Sequence, residues 1–488
     1  MFDSKTSRSL ILLLALVAWP TVSAAQQTRP DELTPKEVSR LLYAALHEGD
    51  VQKFASLVDR AGAKQRDEVL LYAVSRDKEP PVEIIRLLLD KGANVNQPSR
   101  YKTALMHVAS GGYIEIFRLF LARGAEVNVQ TDEGTALMMA VVAGRTEIVK
   151  LLLAAGADVK AVHRTGDQAL MMAARQRSYR TPAVEPTAEI LEMLLATVAD
   201  PDARGQWGRT ALMHANTAAK VRLLVKDGAD VEARDEQGET ALLKAAARGE
   251  AAVVSALVES GANVNAKDNN GATALLHSLS CDYYGYYGDD ARTLPQRRLK
   301  VAQRMLLAKN VDLNAQNSNG ETALMRAVRL ENVEMIKSLL ARGADANLSD
   351  QFGDTAFILA YAGANSEIEK LFSPTSLKDQ PLNVRNAFLR AAIARKDEAK
   401  VRKLLAQGAD PNYEYAIDYS HPTIKRTMLI LAASLGHAGI VQMLLAKGAN
   451  VNAKGLLSGS ESGLRYGTAL DAAQNAEVVA ILKRAGQD

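Results

Sequence analysis

Three histidines stand at one position of a recurring pattern. His107, His214 and His277 each follow a Thr by four residues, at Thr103, Thr210 and Thr273. Imidazoles in register on successive elements raise the question of a metal site, since zinc takes His nitrogens at about 2 Å. A second set of ligand types, Asp282, Asp289 and Asp290, frames a Tyr-rich segment but lacks the regular spacing of a calcium loop. Cys281 is the only cysteine, which excludes an internal disulfide and a Cys-rich zinc module. No neighbouring cation in the sequence activates its thiol. Phosphate-loop, dinucleotide-binding, His-Glu-x-x-His and Gly-x-Ser-x-Gly motifs are all missing from the sequence.

The elements that position these residues form a repeat. A Gly-Ala pair closes a Leu-rich stretch at Gly62, Gly92, Gly124, Gly156, Gly228, Gly261, Gly343, Gly408 and Gly448, with spacings that include 30, 32 and 33 residues. The longer gaps divide into units of the same size, giving thirteen units that end near Gly486. Within a full unit, Asp235-x-x-Gly238 reads as a turn. Thr240 reads as a helix cap, and Ala245-Ala246 permit close helix approach. A second helix carries apolar residues at 3/4 spacing, as in Ile148-Val149-Leu151-Leu152, and the closing Gly suits a left-handed end. The unit is turn, short helix, longer helix. The three histidines fall in non-adjacent units, and helix layers lie about 8–10 Å apart. They therefore cannot share one ion, and no catalytic, cofactor or metal site is expected.

This pattern resembles the ankyrin-repeat family, a 33-residue repeat with a Thr-Pro-Leu-His signature. Thr-Ala-Leu stands at Thr103, Thr135, Thr210, Thr240, Thr273, Thr322 and Thr468. Ala replaces the family Pro, and Met106, Met138, Met171, Met213, Leu243, Leu276 and Met325 replace the family His. The resemblance covers about residues 34–486 and implies an all-α solenoid of stacked helix pairs with short β-hairpin fingers. It also implies that packing by Met takes over from the lost His hydrogen bond.

Four stretches exceed the period. Insertions at 175–187 and 281–297 fall between the helices of their units, and long fingers are expected at 413–426 and 453–467. The first array is expected over 34–373, about ten units. Beyond a linker at 374–384, residues 385–488 are read either as a second block of about three units or as the continuation of one array. Residues 1–24 read as a secretory leader: Lys5 and Arg8, the apolar run Leu10–Trp19, then small residues to Ala25. A short linker, 25–33, follows.

Composition narrows the function. The 488 residues carry 59 Lys+Arg against 56 Asp+Glu, a net charge of +3, which speaks against nucleic acid as partner. The expectation is a monomeric, non-enzymatic scaffold, exported to the bacterial periplasm or envelope and not inserted in the membrane after leader cleavage. The resemblance implies one or more protein partners, bound on the concave face and fingertips. A secreted effector acting on a host protein, and an enzyme using the long loops, are the alternatives. Candidate contact residues are Trp207 and Phe352, read as exposed fingertip aromatics, and the basic Arg100, Lys102, Arg164 and Arg209. The loop tyrosines Tyr283, Tyr284, Tyr286, Tyr287, Tyr413, Tyr415 and Tyr419 either join this surface or cover neighbouring helices. Fingertip charge is read as drifting from those bases to Glu236, Glu239, Glu321 and Asp354, a polarity that would steer a partner into register.

Overall fold

The computed structural model describes residues 33–76, 78–97, 101–175, 187–197, 199–280, 294–372, 380–416, 425–460 and 463–487. The leader, Arg100, Cys281, Asp282, Asp289, Asp290, Tyr283, Tyr284, Tyr286, Tyr287 and Tyr419 lie outside these residues. The chain divides into two compact units, residues 1–136 and 137–488. The described part of the first holds three helix pairs, from Pro35–Glu48 with Val51–Val58 to Ala104–Gly111 with Ile114–Ala122. The second holds ten pairs, from Ala136–Val142 with Thr146–Ala154 to Ala469–Ala472 with Ala476–Ala485. No described helix is long and apolar enough to cross a membrane.

Most pairs have a short inner and a longer outer helix, but the order of lengths reverses in Pro35–Glu48 with Val51–Val58, Ala63–Ser75 with Val82–Asp90, Ala356–Ala362 with Ser366–Glu369 and Leu382–Ala394 with Glu398–Ala406. Inner helices that follow a motif Thr span only four to eight residues. The Thr103, Thr240, Thr273, Thr322, Thr355 and Thr427 hydroxyls each accept from the backbone N–H three residues on. That bond satisfies a donor the helix start would otherwise leave open. Thr210 departs from this pattern: it is fully buried and its hydroxyl has no partner. The Met and Leu residues that stand in place of the family's His are all buried, and two sulfurs still accept hydrogen bonds, Met106 Sδ from Thr103 N–H and the Thr131 hydroxyl and Met325 Sδ from Thr322 N–H.

Inner-helix C-termini are finished by side chains from the following pair. In the first unit, Arg76 donates to the Leu46 carbonyl. In the second, Lys220 donates to Ala174, Arg248 to Met213 and Ala215, and Arg298 to Ala247. Arg326 donates to Leu276 and Arg395 to Tyr361 in the same way. Cations at helix C-termini bond the orphan carbonyls and face the negative end of the helix dipole.

Two details depart from the sequence reading, and the long fingers agree with it. Gly62 does not close a helix in left-handed geometry; at φ −68° it is the N-cap of Ala63–Ser75, so this unit starts without a finger. Leu294–Arg297 are not loop but the first turn of the outer helix Leu294–Leu306, which shortens the second insertion. The two long fingers are antiparallel hairpins: β1 (Glu414–Ala416) with β2 (Lys425–Thr427), and β3 (Gly455–Ser460) with β4 (Gly463–Gly467). Arg426 joins the hairpins, donating to the carbonyls of Leu456 and Leu457 at 2.9 Å each.

One apolar cluster runs from Ile358 and Tyr361 through Phe388 and Leu444 to Leu482. Phe388 is fully buried, with edge-on ring contacts to Phe357 at 5.5 Å and Tyr361 at 4.9 Å. Phe388→Ala is expected to remove about 3–5 kcal/mol of stability, read as an earlier denaturant midpoint for the second unit. An unchanged midpoint would show that this cluster does not hold the pairs together.

Candidate functional site

The finger turns of the second unit are built on one repeated device. Asp235, Asp268, Asn317 and Asp350 occupy the same turn position. In each, Oδ1 accepts from the backbone N–H groups two and four residues on, at 2.8–3.0 Å. The turns also bond to one another: Glu236 N–H donates to Trp207, Asn269 to Gln237, Ser318 to Asn270, and Gln351 to Asn319. Fingertips therefore form a continuous backbone row. At Gly320, φ is +78° and an added Cβ would lie 2.8 Å from Asp350 Cα, so only glycine fits the contact between fingers.

At Asp235 and Asp268 the second carboxylate oxygen faces the inner helices and is met by the residue four after the motif Thr, whereas Asp350 is met by Arg329 of the preceding unit. Lys244 pairs with Asp235 at 2.6 Å and with Glu239. His277 Nε2 lies 2.9 Å from Asp268 Oδ2 and 3.9 Å from Glu239 Oε1. Arg326 pairs with Glu321 at 3.1 Å, and Arg329 bridges Glu321 to Asp350. Arg390 closes the row on Asp354. Burial pushes the Asp268 carboxyl up, but bonds from His277 and the Ala272 N–H outweigh it, leaving the group below its ordinary range. Burial pushes Asp354 up despite Arg390.

Position by position, this row differs from the expected fingertip polarity. Glu239, Glu321 and Asp354 spend their charge on bonds within the protein, and Glu321 and Asp354 are buried. Glu236 alone of the four is exposed. Among the bases, Arg164 is exposed, whereas Arg209 is half-buried and bonded to Asp235. Lys102, in the first unit, is half-buried. Phe352 is half-buried rather than exposed. Tyr413 is half-buried, and Tyr415 is buried with the Arg390 guanidinium 5.2 Å from its ring centre, so Tyr415 covers the scaffold.

Trp207 keeps its place at a fingertip. It is 37% exposed, and the Arg209 guanidinium lies 4.6 Å over its ring. Its backbone is left-handed, φ 57° and ψ 29°, while the other described non-glycine residues with positive φ sit at helix ends. In this finger Gly205 takes the Asp position, where an added Cβ would meet Asp167 Oδ1 at 2.5 Å. Asp167 of the preceding finger supplies the carboxylate instead, accepting from Gln206 N–H at 3.2 Å and pairing with Arg175.

The unit that lacks its own finger Asp carries His214 four residues after its motif Thr. Burial first, then Arg175, Arg248, Arg209 and Lys244, hold this imidazole well below its ordinary pKa and therefore neutral. His107, in the first unit, is pushed down to about 4 by burial and then by Lys102. Three exposed aromatics among the described residues lie outside the candidates read from the sequence, Tyr72, Tyr101 and Tyr466. Tyr101 precedes a motif Thr in a unit with no turn Gly, and Tyr466 lies on β4. An aromatic within three residues of the motif Thr would have found Tyr101 and Tyr466.

The family model described as Ankyrin repeats (3 copies) matches residues 41–131, 105–184, 183–268, 215–286 and 357–455. A second, Ankyrin repeats (many copies), matches 305–360. The solved ankyrin repeat domain of Bcl-3, described as a unique member of the IkappaB protein family, is 24% identical to this chain. The match covers 49% of this chain and 98% of that one, with a TM-score of 0.39. No curated protein matches.

The His107 shift has a direct consequence. Its folded pKa of about 4 lies below the ordinary 6.5, so the neutral form stabilises the fold. That contribution is complete above the ordinary value and lost as pH falls through 6.5 toward 4. Denaturant titrations are expected to show a first unit that weakens across this range, with His107→Gln giving a shallower pH dependence. Parallel slopes for the two proteins would remove His107 as the cause.

Proposed function

Since the chain belongs to the ankyrin-repeat family, we propose that it is an exported, non-enzymatic scaffold that binds a partner protein through its fingertips, with Trp207 as anchor. Ankyrin-repeat domains typically bind proteins and are usually non-enzymatic, and no catalytic domain is matched in this chain. Export is read from the basic, apolar and small-residue succession of residues 1–25, which favours the periplasm as the place of action.

The conformation of Trp207 carries the proposal. A left-handed backbone costs an L-residue roughly 1–2 kcal/mol, and glycine would fit the turn without that cost. Folding gains little from the indole, which stays more than a third exposed. Strain kept at a surface aromatic is accounted for by what the ring does there. Arg209 stacked on the ring fixes it without covering it, and a rigid, partly desolvated Trp beside an Arg is the composition of an interface hot spot. Exposed Glu236 lies on the next finger, its N–H bonded to the Trp207 carbonyl, and adds a charged rim.

Trp207→Gly separates folding from binding. The variant is expected to keep unfolding stability within about 1 kcal/mol, because the lost ring contact is offset by relief at the backbone. Binding should weaken at least roughly thirtyfold, the equivalent of about 2 kcal/mol. Parent and variant, used as baits in periplasmic extract, are expected to differ in a defined protein retained by the parent alone. Identical capture by both would exclude Trp207 as the anchor.

A further inference from the structure

Glu239, Asp268 and His277 bring three metal-ligating atoms together within 4.8 Å of one another. His277 Nε2 stands 2.9 Å from Asp268 Oδ2 and 3.9 Å from Glu239 Oε1. Two ligands bound at about 2.1 Å in a tetrahedral shell are themselves about 3.4 Å apart. Both spacings from His277 therefore already stand within about 0.5 Å of coordination distance, and the third lies within 4.8 Å. The residues come from two successive repeats. Glu239 leads into helix Ala241–Ala247, while Asp268 and His277 belong to the next finger and its inner helix, Ala274–Ser278.

The surroundings favour an ion over a simple hydrogen bond. Asp268 is 6% exposed at its side chain, and its Oδ1 is held by the Asn270 and Ala272 N–H groups. This fixes Oδ2 toward the cluster, as an outer-shell bond orients a ligand. Lys244 bonds Glu239 through Oε2, which leaves Oε1 as the oxygen on the His277 side. The Lys244 ammonium is itself matched by Asp235 at 2.6 Å, and Arg209 also leans on Asp235. Across this connected group, three carboxylates face the two cations Lys244 and Arg209, one carboxylate in excess. Glu239 and His277 keep 18% and 19% of their side-chain surface, which gives an ion a way in.

We propose that Glu239, Asp268 and His277 bind one divalent transition-metal ion of the zinc type, with water at the fourth position. One imidazole and two carboxylates suit zinc better than calcium or magnesium, which take oxygen-rich shells. The ion would staple two successive fingers, adding a bond between repeats that packing alone does not supply.

The test uses the full chain, stripped with a chelator and titrated with Zn²⁺ alone by calorimetry, with elemental analysis of the retained metal. One ion per chain is expected, with a raised melting temperature in Zn²⁺. His277→Gln keeps a hydrogen-bonding group of similar length, and Glu239→Gln keeps the shape of its side chain. Each should weaken binding at least about tenfold and abolish the thermal shift while leaving the circular dichroism unchanged. Lys244→Gln removes the competing ammonium and should tighten binding several-fold, an outcome that a purely structural Glu239–His277 contact does not produce. Tetrahedral visible bands with Co²⁺ that vanish in His277→Gln would place the ion on this histidine. The proposal is overturned if the parent shows no saturable Zn²⁺ binding, or if His277→Gln binds as the parent does.

Discussion

A helix of four to eight residues does not persist alone in water, where about 12–15 residues are needed even for favourable sequences. Everything in this chain follows from building with such helices. Most of these short helices take a hydroxyl at their start and small residues along their flank, and several take a donor from the following pair at their end. Ala-rich faces such as Ala245-Ala246 are fully buried because the neighbouring layer sits directly on them. The apolar stripe of an outer helix, as in Val253-Val254-Leu257, is likewise completed only by the next pair. Stability is thus shared between adjacent repeats rather than owned by any one of them.

The same logic governs the polar side. A finger turn bends the chain sharply and leaves N–H groups facing inward, and one carboxylate oxygen takes two of them. The second oxygen is then a buried charge that requires a partner. Lys244 and His277 supply it to Asp235 and Asp268, and Arg329 of the preceding unit supplies it to Asp350. Where the finger Asp is replaced by Gly205, the residue four after the motif Thr is the neutral His214. The row of fingers is therefore largely neutral inside while its tips stay free to vary.

What was legible in the sequence is what repeats along it. The Gly-Ala period, the Thr caps, the buried Met positions and the hairpin fingers all recur with similar spacing, and each is visible as a local pattern. What escaped depends on which neighbour a side chain meets. Gly62 has the same neighbours in sequence as the closing glycines, yet it caps a start because no finger follows. Charges at Glu239, Glu321 and Asp354 looked free because their partners lie five to thirty-six residues away. The histidines share a position only across non-adjacent units, whereas His277 finds its carboxylates at Asp268 in its own finger and at Glu239 one repeat earlier. Composition places Tyr415 among loop tyrosines, but Arg390 holds it against the scaffold.

The arginine and lysine bonds to inner-helix carbonyls give the array a direction in time. Lys220, Arg248, Arg298, Arg326 and Arg395 all reach back toward the preceding pair. During synthesis the ribosome releases a helix pair before the side chain that finishes it exists. Each repeat therefore waits, one repeat-length of translation, with its carbonyls answered only by water. Loss of a pair from the C-terminal side uncaps a helix that remains, whereas loss from the N-terminal side merely frees a cation into solvent. The two ends are mechanically unequal, and unravelling that starts at the C-terminus propagates through uncapped ends, one layer at a time.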